Sequence, residues 1–184
     1  MPAQLLLPLA TSLMFLLLGG PATSPTTQPT VVRSTDGSVE VTLPAGWEMM
    51  TDDAHRAEPW VINVANPQQG IWCAIRALAK EDLVDMTLEK LEQQSRDTYS
   101  RLDDLKIGDA QKMEINGNPA IQREVSGATG GERWAYQCTI IETPSQFLCI
   151  YGCAKPSRFA TAKPQFDALV QGTRGLIGDP AGKK

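Results

Sequence analysis

Two β-strands joined by a tight turn are predicted by residues 133–154, RWAYQCTIIETPSQFLCIYGCA. Aromatic and β-branched residues dominate Arg133 to Glu142 and Gln146 to Ala154, and Pro144 with Ser145 marks the turn between them. A register with Thr143 opposite Gln146 fixes which side chains share a face. That face carries Trp134, Tyr136, Cys138, Ile140, Phe147, Cys149, Tyr151 and Cys153. Three of the four cysteines therefore point the same way.

The upstream sequence predicts five more strands. Apolar residues alternate with polar ones in the first, and the third is largely apolar, which is typical of a strand covered on both faces. Asn116 and Gly117 are a strong hairpin signal between the fourth and the fifth. The five strands are Val39–Leu43, Trp60–Val64, Ile71–Ala79, Ala110–Ile115 and Ala120–Val125.

Two helices are predicted. Thr87 can cap a helix that runs to about Leu105, because apolar side chains recur from Leu88 at helical spacing. A C-terminal helix contains Phe166, and Pro164 then belongs to its first turn. Three strands, a long helix, four strands and a last helix predict an antiparallel sheet with helices packed on it.

The chain is expected to contain one domain with short flanking segments. Residues 1–22 have no charged side chain and include the apolar run Leu5–Leu18, which predicts a secretory signal peptide; a retained membrane anchor is the alternative. Residues 23–35 are rich in Pro, Thr and Ser and predict a flexible leader. The domain itself is expected at residues 36–177, followed by a polar tail at 178–184.

Composition excludes several classes of function. The 184 residues include 17 Lys+Arg and 21 Asp+Glu, which gives a net charge of −4 and no basic footprint for nucleic acid. The single histidine, His55, argues against multi-histidine metal sites and most histidine-based triads. After signal cleavage we expect a periplasmic or extracellular protein without a stable membrane span.

The four cysteines predict a disulfide. They include no C-x-x-C pair, which argues against a thioredoxin-type or zinc-ribbon motif, and export favours oxidation. Cys138 lies opposite Tyr151 in the register above, so a bulge could bring Cys149 or Cys153 into bonding range, with Cys149 preferred. A bond from Cys73 to Cys138 or Cys153 would instead indicate that the third strand neighbours this hairpin.

Metal binding and thiol catalysis have weak candidates. Asp52, Asp53 and His55 are suitable ligands for a divalent ion, but a solvated loop is the better interpretation of adjacent polar residues. A cysteine activated by His55 would require a specific long-range contact. No cofactor and no catalytic residue are predicted.

The four tryptophans are the richest candidate binding residues. Trp47 and Trp60 flank the longest irregular stretch, from Glu48 to Pro59, and an aromatic residue at a loop edge is a common anchor of a binding surface. Trp72 and Trp134 occupy strand positions, where core packing is the expected role. We therefore expect Trp47 or Trp60 to belong to a binding surface, and Trp72 and Trp134 to be structural.

Two short motifs and the order of elements carry a resemblance to a known family. The motifs are Leu43-Pro44-Ala45-Gly46-Trp47, which ends the first strand, and the hairpin Ile115-Asn116-Gly117-Asn118-Pro119-Ala120. Together with the long helix and the aromatic final hairpin, they resemble the PsbP-like family, whose fold is shared by PsbP, DcrB and LpqN. The resemblance implies an α+β fold: an α/β/α sandwich with a central antiparallel sheet of about six or seven strands, one long helix after strand three and one C-terminal helix.

Members of that family mostly bind partners and rarely catalyse reactions, so the resemblance implies a non-enzymatic binding or accessory module. Its partner would be a protein or a small ligand. An enzyme of unassigned chemistry is the alternative, because fold does not determine function. The chain lacks the lipidation cysteine of the family's lipoproteins, since its first cysteine is Cys73.

Overall fold

A computed structural model describes residues 28–50 and 60–177. Within these ranges the chain forms eleven strands, two α-helices and one short 3-10 helix at Lys80–Asp82. The helices are α1, Leu88–Tyr99, and α2, Pro156–Gly172. The strands, β1 to β11 in chain order, are Thr30–Arg33, Val39–Leu43, Glu48–Met49, Ile62–Asn66, Ile71–Ala79, Asp103–Ile107, Gln111–Ile115, Asn118–Thr129, Glu132–Glu142, Gln146–Ala154 and Thr173–Gly175.

The strands form two sheets, in which every described pairing is antiparallel. The larger sheet has eight strands in the order β3-β4-β5-β10-β9-β8-β6, with β7 also paired to β8. The smaller sheet has the order β1-β2-β11. The prediction of an antiparallel sheet is confirmed. The predicted count of six or seven strands is low, because β3 and β6 were missed, and the strand at Val39–Leu43 belongs to the second sheet.

The predicted register of the final hairpin is confirmed. Tyr151 lies opposite Cys138, and the Thr143 amide donates to the Gln146 carbonyl at 2.9 Å. Side chains therefore alternate along β10 between the two faces of the large sheet. Phe147 and Cys149 pack with α1, whereas Leu148 and Ile150 belong to the core under α2. The helices thus lie on opposite faces, which gives the expected α/β/α sandwich.

Helix α2 closes one face with a continuous apolar core. Its buried residues include Phe166, which lies directly over Gly152 of β10. A Cβ at Gly152 would lie 2.6 Å from the Phe166 ring, so glycine is required for this close approach. Contrary to the sequence prediction, Pro164 is inside the helix, since α2 begins eight residues earlier at Pro156.

Helix α1 covers only part of the opposite face. The Thr87 side chain accepts a hydrogen bond from the Lys90 amide at 3.2 Å, as the capping prediction requires. A half-buried ion pair, with 2.7 Å between Glu92 Oε1 and Arg123 Nε, connects the helix to β8. The helix ends at Tyr99, not near Leu105, because the alternating Leu105 and Ile107 belong to β6 and pack beside Tyr99.

The ordered fold begins earlier than predicted. Residues 30–33 of the expected flexible leader form β1, which pairs with β2. Ser34 is buried, and its hydroxyl accepts a hydrogen bond from the Val39 amide at 2.9 Å. The pairing of β1 with β2 therefore orders a segment that was predicted to be flexible from its Pro-rich and Thr-rich composition. The predicted signal peptide and the polar tail lie outside the described residues.

The described residues include no helix that is both long and apolar enough to span a bilayer.

Candidate ligand-binding face

Trp47 is part of the core, so its predicted position at a surface is wrong. It is 3% exposed, and its ring meets Phe166 edge-on with centroids 6.2 Å apart. Its indole Nε1 donates to Gln165 Oε1 at 2.9 Å. The turn at Pro44–Gly46, with Gly46 at φ +82°, folds the indole back under α2. Trp47 therefore stabilises the closed side of the sandwich.

Trp60 is half-exposed and lies on the side of the sheet that carries α1. Its ring meets Tyr151 edge-on, with centroids 5.5 Å apart. The loop candidates Asp52, Asp53 and His55 lie outside the described residues. Within residues 28–50 and 60–177, no three His, Cys, Asp or Glu side chains are placed to hold a metal ion.

The α1 side of the sheet carries a group of half-exposed aromatic residues, which we call the aromatic face. Trp72 and Tyr136 both lie opposite Cys153, one on each neighbouring strand, and Ala74 lies opposite Tyr151. The aromatic face consists of Trp60, Trp72, Trp134, Tyr136 and Tyr151.

Two indoles meet across β10 within the aromatic face. The rings of Trp72 on β5 and Trp134 on β9 have centroids 5.4 Å apart and an interplanar angle of 74°. This edge-to-face geometry favours contact between aromatic rings. Both side chains keep part of their surface in water. The structural role expected for both residues stays a prediction.

Two cations border the aromatic face. The Lys155 Nζ lies 3.8 Å from the centroid of the Trp134 ring and 2.7 Å from Glu132 Oε2, so its charge is already paired. Arg76 of β5 lies opposite Cys149 and is half-buried. It has no hydrogen bond or ion pair with any residue in the part of the chain that the structure describes.

The three cysteines of this face are free thiols. Burial raises the pKa of Cys138, Cys149 and Cys153 to about 12, and the Arg76 charge opposes that rise at Cys149. Protonated thiols are poor nucleophiles, so the arrangement does not favour thiol catalysis. Cys73 is also free and buried, but it belongs to the core under α2.

The predicted disulfide of the final hairpin is not formed in the structure. Pairing between β9 and β10 is continuous from Phe147 to Ala154 without the bulge that the bond would need. Cys138 therefore stays opposite Tyr151, with Cys149 and Cys153 on its diagonals.

Comparison with known proteins shows what kind of fold presents this face. No profile of a known protein family matches the chain, and no curated protein matches its sequence. Several solved structures do match its fold. The solution structure of cyanobacterial PsbP (CyanoP) from Synechocystis sp. PCC 6803 has a TM-score of 0.60 and 13% identity, covering 92% of this chain and 99% of that one.

Two further structures agree. LpqN, described as involved in cell envelope biogenesis of Mycobacterium tuberculosis, has a TM-score of 0.53 and 15% identity over 79% of this chain and 89% of that chain. PA94 from Pseudomonas aeruginosa, a protein of unknown function described as a putative regulator, has a TM-score of 0.50 and 13% identity. The match covers 78% of this chain and 94% of that chain. The chain has a PsbP-like fold. At these identities the likeness shows the fold alone, so the candidate site of this PsbP-like protein rests on its own residues.

A separate cavity of about 410 Å³ lies elsewhere on the PsbP-like domain. Its apolar lining includes Ile115, Ile141 and Leu148, and Asn116 stands at its edge. The Asn116 amide donates to the carbonyls of Gln171, at 2.9 Å, and Thr173, at 3.3 Å. These bonds tie the β7–β8 turn to the end of α2, which is a structural role.

Sequence reasoning did not single out Arg76 and Tyr151 as part of this region, and it assigned Trp72 a structural role. A signal was present in Ile71–Ala79, because alternation places Trp72, Ala74 and Arg76 on one face, and an arginine there is inconsistent with full burial. The apolar composition of β5 hid this pattern. The position of α1 determines which half of that face is covered, and the sequence of β5 does not show this position.

Proposed function

We propose that this protein is an exported, non-enzymatic binding module that holds its partner on the aromatic face. The observation that carries the proposal is the contact between the half-exposed Trp72 and Trp134. Tryptophan and tyrosine dominate the binding energy of many interfaces because they bury a large area with few rotatable bonds. A sheet face that leaves such residues partly in water is therefore suited to binding.

Export is supported by the uncharged segment 1–22 with its apolar run. The described relationship of LpqN to cell envelope biogenesis is compatible with work outside the cytoplasm. N-terminal sequencing of the protein from its native host tests this part of the proposal. We expect a new N-terminus near residue 23. Intact Met1 in the cytosolic fraction would contradict export.

An accessory role is supported by the chemistry of the aromatic face. Its thiols stay protonated at neutral pH because their pKa is raised, and its cations are suited to recognition. Such a surface offers apolar area and positive charge, both of which contribute to binding a partner. It does not offer an activated nucleophile.

Quantitative affinity capture from the exported fraction of the host tests the binding role. Wild type, Trp134→Ala and Trp72→Ala should be compared at equal amounts of folded protein, as judged by circular dichroism. We expect both variants to lose most of the captured partner. The matched control is Val31→Ala, because Val31 is an exposed apolar residue on the other sheet. Equal capture by the tryptophan variants and the control would contradict the proposal.

A further inference from the structure

Three cysteines lie on the α1 side of the final hairpin, and the proposed function makes no use of them. Cys138, Cys149 and Cys153 are all free thiols. Cys149 and Cys153 are four residues apart on β10, which corresponds to about 13 Å along an extended strand. These two thiols therefore cannot bind the same ion, and a site made of two thiols has to include Cys138.

The register places Cys138 and Cys153 on a diagonal of the hairpin. Cys138 lies opposite Tyr151, and Cys153 lies opposite Tyr136. Diagonal neighbours in an antiparallel pair have Cα atoms about 7–8 Å apart and Cβ atoms somewhat closer. A disulfide needs Cβ atoms about 3.5–4.5 Å apart, which regular pairing does not provide on a diagonal. A linear bridge through one metal ion is wider, since its two sulfurs are about 4.6 Å apart, twice a metal–thiolate bond of about 2.3 Å.

The surroundings of Cys138 are suited to a metal-bound thiolate. Burial raises the pKa of the Cys138 thiol to about 12, but a hydrogen bond from the Tyr99 hydroxyl and the charge of Arg123 act in the opposite direction. Arg123 lies opposite Cys138 on β8. Groups of this kind orient a ligand and stabilise its charge. Cys153 is partly exposed, so the pair reaches the protein surface at this residue.

We propose that Cys138 and Cys153 bind one Cu(I) ion as a two-coordinate bis-thiolate. Thiolates are the ligands that select Cu(I). A structural Zn(II) site takes four ligands, whereas within residues 28–50 and 60–177 no group of three His, Cys, Asp or Glu side chains is placed to hold an ion. The inference does not depend on the proposed function.

The binding step balances without a redox partner. Two Cu–S bonds form, both thiols release their protons to water, and one Cu(I) ion and two thiols give one complex of charge −1 and two protons. Copper and sulfur keep their oxidation states. The positive charge of Arg123 beside Cys138 offsets the charge of the complex.

Anaerobic titration of the reduced full chain with Cu(I), in competition with the coloured chelator bicinchoninate, tests the site. We expect the wild type to withdraw one equivalent of Cu(I), and the X-ray absorption spectrum of this complex to show two sulfur neighbours. Cys138→Ala and Cys153→Ala should each weaken binding by more than about 100-fold, because loss of an outer partner alone costs about 10- to 100-fold. Tyr99→Phe removes such an outer partner and should weaken binding by about 10-fold.

Two cysteine variants serve as matched controls. Cys149 lies on the same face of the hairpin, and Cys73 belongs to the core under α2. Cys149→Ala and Cys73→Ala should both bind Cu(I) as the wild type does. Circular dichroism establishes that each variant is folded. If Cys138→Ala does not fold, the comparison of Cys153→Ala with Cys149→Ala and the absorption spectrum of the wild type still decide.

Several results would overturn the inference: wild-type binding by a folded Cys153→Ala variant, loss of binding in Cys149→Ala, or no withdrawal of Cu(I) from the chelator. A nitrogen neighbour or a third sulfur in the absorption spectrum would contradict the two-coordinate site. Binding of Zn(II) with the same affinity as Cu(I) would contradict the choice of a soft monovalent ion.

Discussion

The two faces of the large sheet place tryptophan residues in different surroundings. Under α2, Trp47 is 3% exposed and its ring contacts the ring of Phe166. Its indole N–H donates a hydrogen bond to Gln165. On the α1 side, Trp72 and Trp134 meet each other but remain half-exposed. The difference lies in the covering layer, because α2 lies over the whole of its core whereas α1 leaves the aromatic face open. The exposure of an indole therefore depends on which helix covers it.

The largest expected effect is at Trp47. Trp47→Ala should lower the free energy of unfolding by about 3–5 kcal/mol, because it opens a cavity beside Phe166 and removes the hydrogen bond from the indole to Gln165 Oε1. Trp47→Phe keeps most of the ring volume and should cost clearly less. Chemical denaturation of the purified variants measures both. A fully stable Trp47→Ala protein would remove the distinction between the two faces.

The attachment of α1 gives the next effect. Glu92→Gln leaves the Arg123 charge half-buried without its carboxylate, so we expect a loss of about 2 kcal/mol in the free energy of unfolding. Glu89→Gln is the matched control on the same helix, because the Glu89–Lys112 ion pair is exposed; it should be nearly neutral. Equal effects at both positions would mean that the Glu92–Arg123 pair does not hold α1 on the sheet.

Stability should fall at alkaline pH because of the buried thiols of Cys138 and Cys149 and the partly buried thiol of Cys153. Their pKa is raised from 9.0 to about 12, so between these values the folded chain keeps protons that the unfolded chain loses. The unfolded state then binds fewer protons, and the free energy of unfolding decreases as pH rises, by at most about 1.4 kcal/mol per pH unit and thiol.

Denaturation series from pH 8 to pH 10.5 check this slope. Cys153→Ala should reduce the slope of the free energy of unfolding against pH by the contribution of one thiol. The other titrating groups remain in this variant. A stability that does not change across this range would show that the thiols are not buried as described.

The smallest effect should come from the indole pair of the aromatic face. Trp72→Leu and Trp134→Leu should each be mild, and a double-mutant cycle should give a coupling of about 0.5–1.5 kcal/mol, as for other edge-to-face pairs. Losses as large as that of Trp47→Ala would place these residues in a closed core and weaken their assignment to a binding surface.

The sequence was sufficient for the local features of the fold. Hydrophobic alternation and turn residues predicted the register that places Cys138 opposite Tyr151, and Thr87 was correctly identified as a helix cap. Both depend on interactions between residues close along the chain. The exposure of Trp47 was predicted wrongly because it depends on which helix packs over it. That choice is made by distant residues such as Phe166 and Gln165.

The same limit explains the other errors. The strand at 30–33 exists because β2 pairs with it, and α1 stops at Tyr99 because residues 103–107 pair with β8. Partners far away in sequence override local composition in both cases.

Solvent paramagnetic relaxation of the four tryptophan ring signals tests the contrast between the faces most directly. A soluble paramagnetic agent should strongly broaden the ring signals of Trp60, Trp72 and Trp134, which keep part of their surface in water, and leave those of Trp47 nearly unchanged. Equal protection of all four rings would contradict the claim that the α1 side carries an open aromatic face.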